Sequence, residues 1–415
     1  MGPVPRTLEQ HTLPLNTDVA EWCPQPGAER LLAVSTYQLD EATQTRQGGL
    51  HLFAFQDEAT ADEAGTAAGA VTAASGAAHL PGQHLAQLAC LDLPGVFDLR
   101  WHPRSAMPTL AAALADGSVR VLTLDSSSSS SSSSSGGSSS GNGHARGGSC
   151  NRWERVAAAV AAAAEAGPAA ATTLASSKEA EGMAVSLDYS RCQGSEGDLL
   201  AVSYSSGQLQ LFQATPTGMT SLAVWQAHQL EAWAAATDHW HPSLLHSGGD
   251  DCAYRLWDSR KGFDAPVWQS SRAHGAGVCC AASSPHQEHI ACTGAYDDHL
   301  RLWDLRAPQR PVQLAELNCG GGVWRAKWHP SEPRLLLAAC MYNGFALLRL
   351  DGAERQLEIV STYEHAPGSL SYGADWCRLG GKGGTDSSGG HSSEGTLAAT
   401  ASFYDRQLHL WDTGV

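Results

Sequence analysis

Two segments of the chain carry the same pattern 46 residues apart, and that repetition limits the fold more than any other feature. The first runs from His228 through Ser247-Gly248-Gly249-Asp250-Asp251 to Arg255-Leu256-Trp257-Asp258. The second runs from His274 through Thr293-Gly294-Ala295-Tyr296-Asp297 to Arg301-Leu302-Trp303-Asp304. His to Asp spans 23 residues in both copies, and Asp to Trp spans 6. A spacing kept to the residue means one supersecondary unit used again, stacked on copies of itself to bury a face it cannot bury alone.

The unit resembles a WD40 repeat, the four-stranded blade of a β-propeller. After each Asp, a tight turn leads into an alternating strand, with Ala253, Arg255 and Trp257 on one face and Tyr254 and Leu256 on the other. The resemblance implies a buried hydrogen-bond chain in each copy: His228, Ser247, Asp251, Trp257 and His274, Thr293, Asp297, Trp303. Carboxylate meets imidazole and hydroxyl meets indole N–H, so these eight residues hold blades together and perform no reaction.

Five weaker units complete the expected fold, an all-β, seven-bladed WD40 propeller occupying residues 1–415 as a single domain. Their inner strands open at Asp18, Val96, Ala184, Gly322 and Tyr372. The seventh unit ends after its third strand, Leu408–Asp412, so Thr7–Leu13 is expected to supply the fourth and close the ring. Ala401 stands where this unit should have Ser or Thr, which implies an incomplete network. Seven blades of about 40–45 residues do not fill the chain. The surplus falls in three low-complexity insertions expected to be disordered: 56–84, 125–180 and 378–395. The Ala-rich end of the second has some helical character and no assigned role.

A net charge of −16 argues against nucleic acid as a partner and suits a cationic ligand or a basic protein. Eleven cysteines without a Cys-x-x-Cys pair point to free thiols in a reducing compartment. No secretory signal and no membrane span are visible, so the cytoplasm is expected. Neither a Gly-x-Ser-x-Gly elbow nor a phosphate-binding loop is present, and no cofactor is implied. His239-Trp240-His241 suggests a metal site. However, Trp-His-Pro recurs at Trp101-His102-Pro103 and Trp328-His329-Pro330, so the string reads as scaffold and no metal is expected. His286 and His289 read as part of a solvated turn.

The informative residues are those a blade does not require. On the face carrying the loops into the inner strands, these are Glu231, Trp233, Asp250, Tyr296, Asp298, Trp324, Arg325, Tyr372 and Tyr404. Successive blades supply them, so they converge on one channel mouth. Trp324 and Tyr372 serve equally well as core aromatics.

Several blade-specific strings make a narrower resemblance. They are Trp225 to Trp233, Ser247 to Asp251, Ser284 to Ile290, Gly294 to His299, Gly321 to Arg325 with Trp328-His329-Pro330, Tyr372 to Trp376, and Ser402 to Asp405 with Leu408 to Trp411. Glu21 to Pro24 and Leu31 to Gln38 fit as well. Together they resemble the diphthine methyl esterase family of diphthamide biosynthesis, also called diphthine methyltransferase. The resemblance implies hydrolysis of the methyl ester of methylated diphthine on elongation factor 2, giving diphthine and methanol. That substrate carries a trimethylammonium group, which wants aromatic faces and nearby carboxylates. Under this reading Glu231 is the candidate general base and Arg325 the oxyanion or carboxylate partner. Tyr296, Trp324 and Tyr404 face the cation, and Asp250 and Asp298 add charge. The alternative is a non-catalytic WD40 scaffold that recruits substrate.

Overall fold

The computed structural model describes residues 4–56, 84–124, 171–191, 198–215, 218–351, 356–379 and 396–415. Among these, 28 strands, numbered β1 to β28 in chain order, form seven antiparallel four-stranded sheets. The inner strands are β2 (Thr17–Trp22), β6 (Val96–Trp101), β10 (Ala184–Tyr189), β14 (Ala232–Thr237), β18 (Val278–Ser283), β22 (Arg325–Trp328) and β26 (Ser371–Trp376). The chain is a seven-bladed all-β WD40 propeller.

Burial follows position within the blade. The second strands β7 (Thr109–Leu114), β15 (Leu244–Gly249) and β19 (Ile290–Ala295) are buried at every residue, because the neighbouring blades cover both faces. Their side chains are apolar or small for the same reason, except His246, which is paired with Tyr254 Oη at 2.7 Å. A Cβ on Gly248 would lie 2.6 Å from Val278 Cγ1, and one on Gly294 would lie 2.5 Å from Val323 Cγ1, so the next blade packs on bare backbone. Outer strands such as β21 (Val312–Asn318) alternate between half-buried and exposed, as a solvated edge should.

The ring closes with the N-terminal segment. β1 (Arg6–Thr12) runs antiparallel to β28 (Gln407–Asp412), pairing Thr7 with Trp411 and Thr12 with Gln407. This is the strand expected from Thr7–Leu13.

The first His-Ser-Asp-Trp chain is complete. His228 Nδ1 lies 2.9 Å from Asp251 Oδ1, His228 Nε2 lies 2.8 Å from Ser247 Oγ, and Trp257 Nε1 donates to Ser247 Oγ at 2.9 Å. In the second, His274 and Trp303 meet on Thr293 Oγ1 at 2.9 and 2.8 Å. There Asp297 accepts the Gly275 N–H and pairs with Arg301 rather than with the imidazole. The seventh blade corrects the sequence reading. Trp411 Nε1 donates to Thr400 Oγ1 at 3.1 Å, and His365 Nε2 lies 2.9 Å from the same oxygen. Ser402 then bridges His365 Nδ1 to Asp405. Thr400 stands one residue before Ala401, and the register of β27 (Leu397–Ser402) turns its hydroxyl to the indole, so the network is complete.

A second correction concerns the insertion read over 125–180. Its segment Ala171–Ser177 is strand β9, the outer strand of the second blade, paired with β8 (Val119–Leu124). The free edge of β8 needs a partner for its N–H and C=O groups, and that requirement overrides local composition. Residues 57–83, 125–170 and 380–395, which make up most of the three insertions and hold the serine tract, lie outside the described residues. Nine described cysteines are free thiols, six of them buried. No helix among the described residues is long and apolar enough to cross a membrane.

Candidate active site at the channel mouth

Inner strands open with a β-bulge that turns one side chain into the channel mouth. The register slips at Phe97, Val185, Trp233, Cys279 and Tyr372, each the second residue of its strand. In the first blade the slip lies between Thr17 and Ala20 and includes Asp18. A bulge leaves its residue unpaired and re-aims it, which is why bulges recur beside binding sites. Six blades thus offer apolar, aromatic or thiol groups, counting Trp324 just ahead of β22, and one offers a carboxylate.

The aromatic groups form an arc. Trp324 stacks on Tyr372 with ring centroids 4.9 Å apart, and meets Trp233 at 5.8 Å and Tyr296 edge-on at 6.1 Å. Tyr372 continues to Phe403 at 5.4 Å, Phe403 to Tyr37 at 5.0 Å, and Tyr37 to Phe97 at 4.6 Å. At the rim, the Trp233 indole donates to Asp250 Oδ1 at 3.3 Å.

Asp18 lies beneath this arc and is 1% exposed. Its Oδ1 is buried without a hydrogen-bond partner among the described residues. Burial pushes its carboxyl up to about 7, despite the nearby Arg325 guanidinium and a hydrogen bond from the Trp324 side chain. Asp98 adds to the rise. Burial, and next to it the Asp18 charge, also holds the Tyr37 and Tyr372 phenols well above the usual range, so both remain O–H donors.

Arg325 is buried in the channel wall, where its Nη1 donates to Asp98 Oδ1 at 3.0 Å. Its Nε–H is buried and finds no partner among the described residues. Asp98 is shared with Arg100, which also pairs with Glu21 at 2.8 Å. Lys327 lies 3.5 Å from Glu21 and 3.9 Å from Asp375. Burial alone would raise Asp98, but Arg100 and Arg325 hold its carboxyl below the ordinary range. A cavity of about 320 Å³ follows this network, from Phe97, Trp233 and Trp324 at one end to Arg191, His239 and Arg378 at the other.

The residues singled out from sequence divide into groups. Trp324, Tyr296 and Asp250 meet at the mouth, and Arg325 lies just below it. Tyr404 is 63% exposed and meets the arc at Phe403, with ring centroids 5.1 Å apart. Asp298 occupies a left-handed turn at φ 67°, with its carbonyl accepting the Cys319 N–H. Glu231 is half-buried beside Asp250, whose N–H its carbonyl accepts at 2.8 Å. The Glu231 carboxylate makes no hydrogen bond or ion pair among the described residues, and neither Glu231 nor Asp18 lines the cavity. Asp18 was missed as a site residue. The available signal was an acid at an inner-strand opening where the other blades have Phe, Val, Trp, Cys and Tyr.

The three Trp-His-Pro strings do not occupy equivalent places in their blades. His102 and His329 directly follow their inner strands, but His241 stands four residues past the end of β14, at Thr237. The residue equivalent to His102 and His329 is Asp238. The strings recur in sequence without occupying one place in the blade.

The arrangement defines a WD40-repeat propeller whose channel mouth carries an aromatic arc over a carboxylate with one oxygen, and a guanidinium with one N–H, that are unpaired among the described residues. The family described as "WD domain, G-beta repeat" matches residues 267–304. A chain in a crystal structure of the mitotic checkpoint complex shares the fold, with a TM-score of 0.61 and 14% identity over 99% of this chain and 92% of its own. Diphthine methyltransferase of Mus musculus is 35% identical over 388 residues, covering 90% of this chain and 70% of the mouse protein. That of Homo sapiens is 34% identical over 392 residues, covering 88% and 73%. The chain belongs to the diphthine methyltransferase family.

Proposed function

We propose that the protein hydrolyses the methyl ester of methylated diphthine on elongation factor 2, in the cytoplasm, as a step of diphthamide biosynthesis. The observation that carries this reading is the pairing of two unspent groups. Among the described residues, Asp18 Oδ1 is a buried acceptor without a donor, and Arg325 Nε is a buried donor without an acceptor. Unpaired groups of this kind are costly and call for an explanation. A bound ester with an attacking water satisfies both.

The ionised Asp18 takes a proton from water, whose oxygen bonds to the ester carbonyl carbon. The carbonyl oxygen becomes an oxyanion and accepts the Arg325 Nε–H. As the tetrahedral intermediate collapses, the C–OCH3 bond breaks. Protonated Asp18 gives its proton to the leaving methoxide, releasing methanol and the diphthine carboxylic acid, which then loses its remaining proton to solvent as the carboxylate. A carboxyl near 7 suits both roles, since it exchanges a proton readily at neutral pH. The trimethylammonium group lies against Trp233, Tyr296, Trp324 and Tyr372, with Asp250 at the rim. Glu231 belongs to the same rim and remains the alternative base.

The test is incubation of the purified protein with elongation factor 2 carrying methylated diphthine, following methanol release and loss of the methyl mass from the modified histidine. Absence of turnover at high enzyme concentration overturns the esterase reading and favours a scaffold that binds substrate without reacting.

A further inference from the structure

On the opposite face of the propeller, the turn after β14 meets the turn after β18. Here His241 Nε2 lies 3.4 Å from Glu288 Oε1, and His289 Nε2 lies 3.5 Å from the same oxygen. One ligand atom from each of the three residues falls within 4.8 Å of the others. The two imidazoles are nearly parallel, 19° apart with centroids separated by 5.1 Å.

Three further features prepare the group. First, Asp238 is 2% exposed and its Oδ1 accepts the backbone N–H groups of Trp240 and His241 at 2.9 and 2.8 Å. The same oxygen lies 3.1 Å from His241 Nδ1. This places the ring proton on Nδ1 and leaves the Nε2 lone pair facing Glu288 and His289, the arrangement by which carboxylates orient metal-binding histidines. Second, the two turns are tied across the blade boundary. His239 N–H donates to Ser283 Oγ at 2.6 Å, and Trp240 Nε1–H donates to Ser284 O at 2.8 Å. Third, His289 adopts a left-handed backbone at φ 68°, a conformation that costs about 1 kcal/mol or more in a residue other than Gly. The residue just past strand His299–Asp304 fixes it there, since Leu305 N–H donates to His289 O at 2.7 Å.

We propose that His241, Glu288 and His289 form a binding site for a divalent transition cation of the zinc class, bridging the fourth and fifth blades. Ligand atoms of a tetrahedral zinc site lie roughly 3.3 Å apart, given bonds of about 2.0–2.1 Å. The two Glu-to-His separations already match this. Imidazole donors with a single carboxylate select zinc, nickel or copper over magnesium or calcium. The fourth position opens to solvent and is available to water or to a donor on a partner. The site is separate from the channel mouth and does not depend on the esterase reading.

The test uses the full chain, stripped with a chelator and titrated with Zn²⁺ by calorimetry and with Co²⁺ by visible absorption. One equivalent of Zn²⁺ is expected, with a Co²⁺ spectrum lacking the thiolate charge-transfer band that the free cysteines would produce. Glu288→Gln and His289→Ala, each shown folded by its melting curve, are expected to weaken binding by roughly tenfold or more. His289→Gly keeps the left-handed backbone and separates loss of the ligand from loss of the fold. Failure of the folded parent to bind Zn²⁺, undiminished binding in His289→Gly, or a thiolate band in the Co²⁺ spectrum overturns the assignment.

Discussion

Asp18→Asn tests the proposed site most sharply, because activity and stability should move in opposite directions. The substitution keeps the shape of the side chain and removes its proton chemistry. Loss of a general base should lower single-turnover ester hydrolysis on the order of 10²- to 10⁴-fold. In the parent, kcat/KM should rise with pH through about 7 as Asp18 ionises, then level off. Stability follows from the same shift. The folded carboxyl titrates above its ordinary value of 3.8, so its contribution is fully present below that value and is lost as pH rises through about 7. The displacement from 3.8 to about 7 corresponds to about 4 kcal/mol of charge-burial penalty at high pH. Asp18→Asn cannot ionise and escapes that penalty. Urea unfolding should therefore find the variant close to the parent near about pH 4 and more stable by up to about 4 kcal/mol near about pH 9. The reasoning fails if the variant turns over within a few-fold of the parent, if the parent's rate is flat through neutrality, or if the variant is less stable in base.

Four other outcomes can be checked. Arg325→Met should slow hydrolysis on the order of 10²-fold while Glu231→Gln stays within a few-fold, and the reverse pattern in single-turnover assays would move the base to Glu231. Thr400→Val should cost about 1–3 kcal/mol in urea unfolding, because it strands the Trp411 N–H and a His365 nitrogen. Ala401→Ser should gain nothing measurable in the same assay, since the hydroxyl position of that network is already filled. Deleting residues 4–12 should lower the melting temperature by several degrees, as an uncovered edge and lost packing cost a few kcal/mol.

Much of the fold was legible because repetition is a global signal. The His, Ser or Thr, Asp and Trp spacing located blades four and five, and the missing last strand pointed to Thr7–Leu13. The site was only partly legible, because its geometry depends on register. Asp18 belongs to a blade whose third strand, Thr45–Phe55, lacks the Trp-Asp ending, so spacing gives no handle on which residue its bulge displays. Arg325 was visible as an unexpected charge, yet its carboxylate partner Asp98 lies 227 positions earlier in the chain. His241 shows the opposite failure. A matching tripeptide suggested equivalence with His102 and His329, and a three-residue offset in the turn removed it. Thr400 differed from expectation by a single position, which in a strand moves a side chain to the other face.

Ring closure also orders events during synthesis. The ribosome makes β1 first and β28 last, and the Gln407 side chain reaches Thr12 across 395 positions of sequence. Until the final strand emerges, β1 has no edge to join. Asp18 stands in β2, which pairs with Leu31–Asp40 inside its own blade, and its neighbour Thr17 donates through Oγ1 to Ser402 O at 2.7 Å, so the seventh blade adds a late contact beside it. A nascent or prematurely terminated chain would carry most of the blades and still leave β1 unpaired and Thr17 without Ser402. The ring therefore stays open, one blade boundary short of enclosing its channel, until the polypeptide has been translated through Asp412.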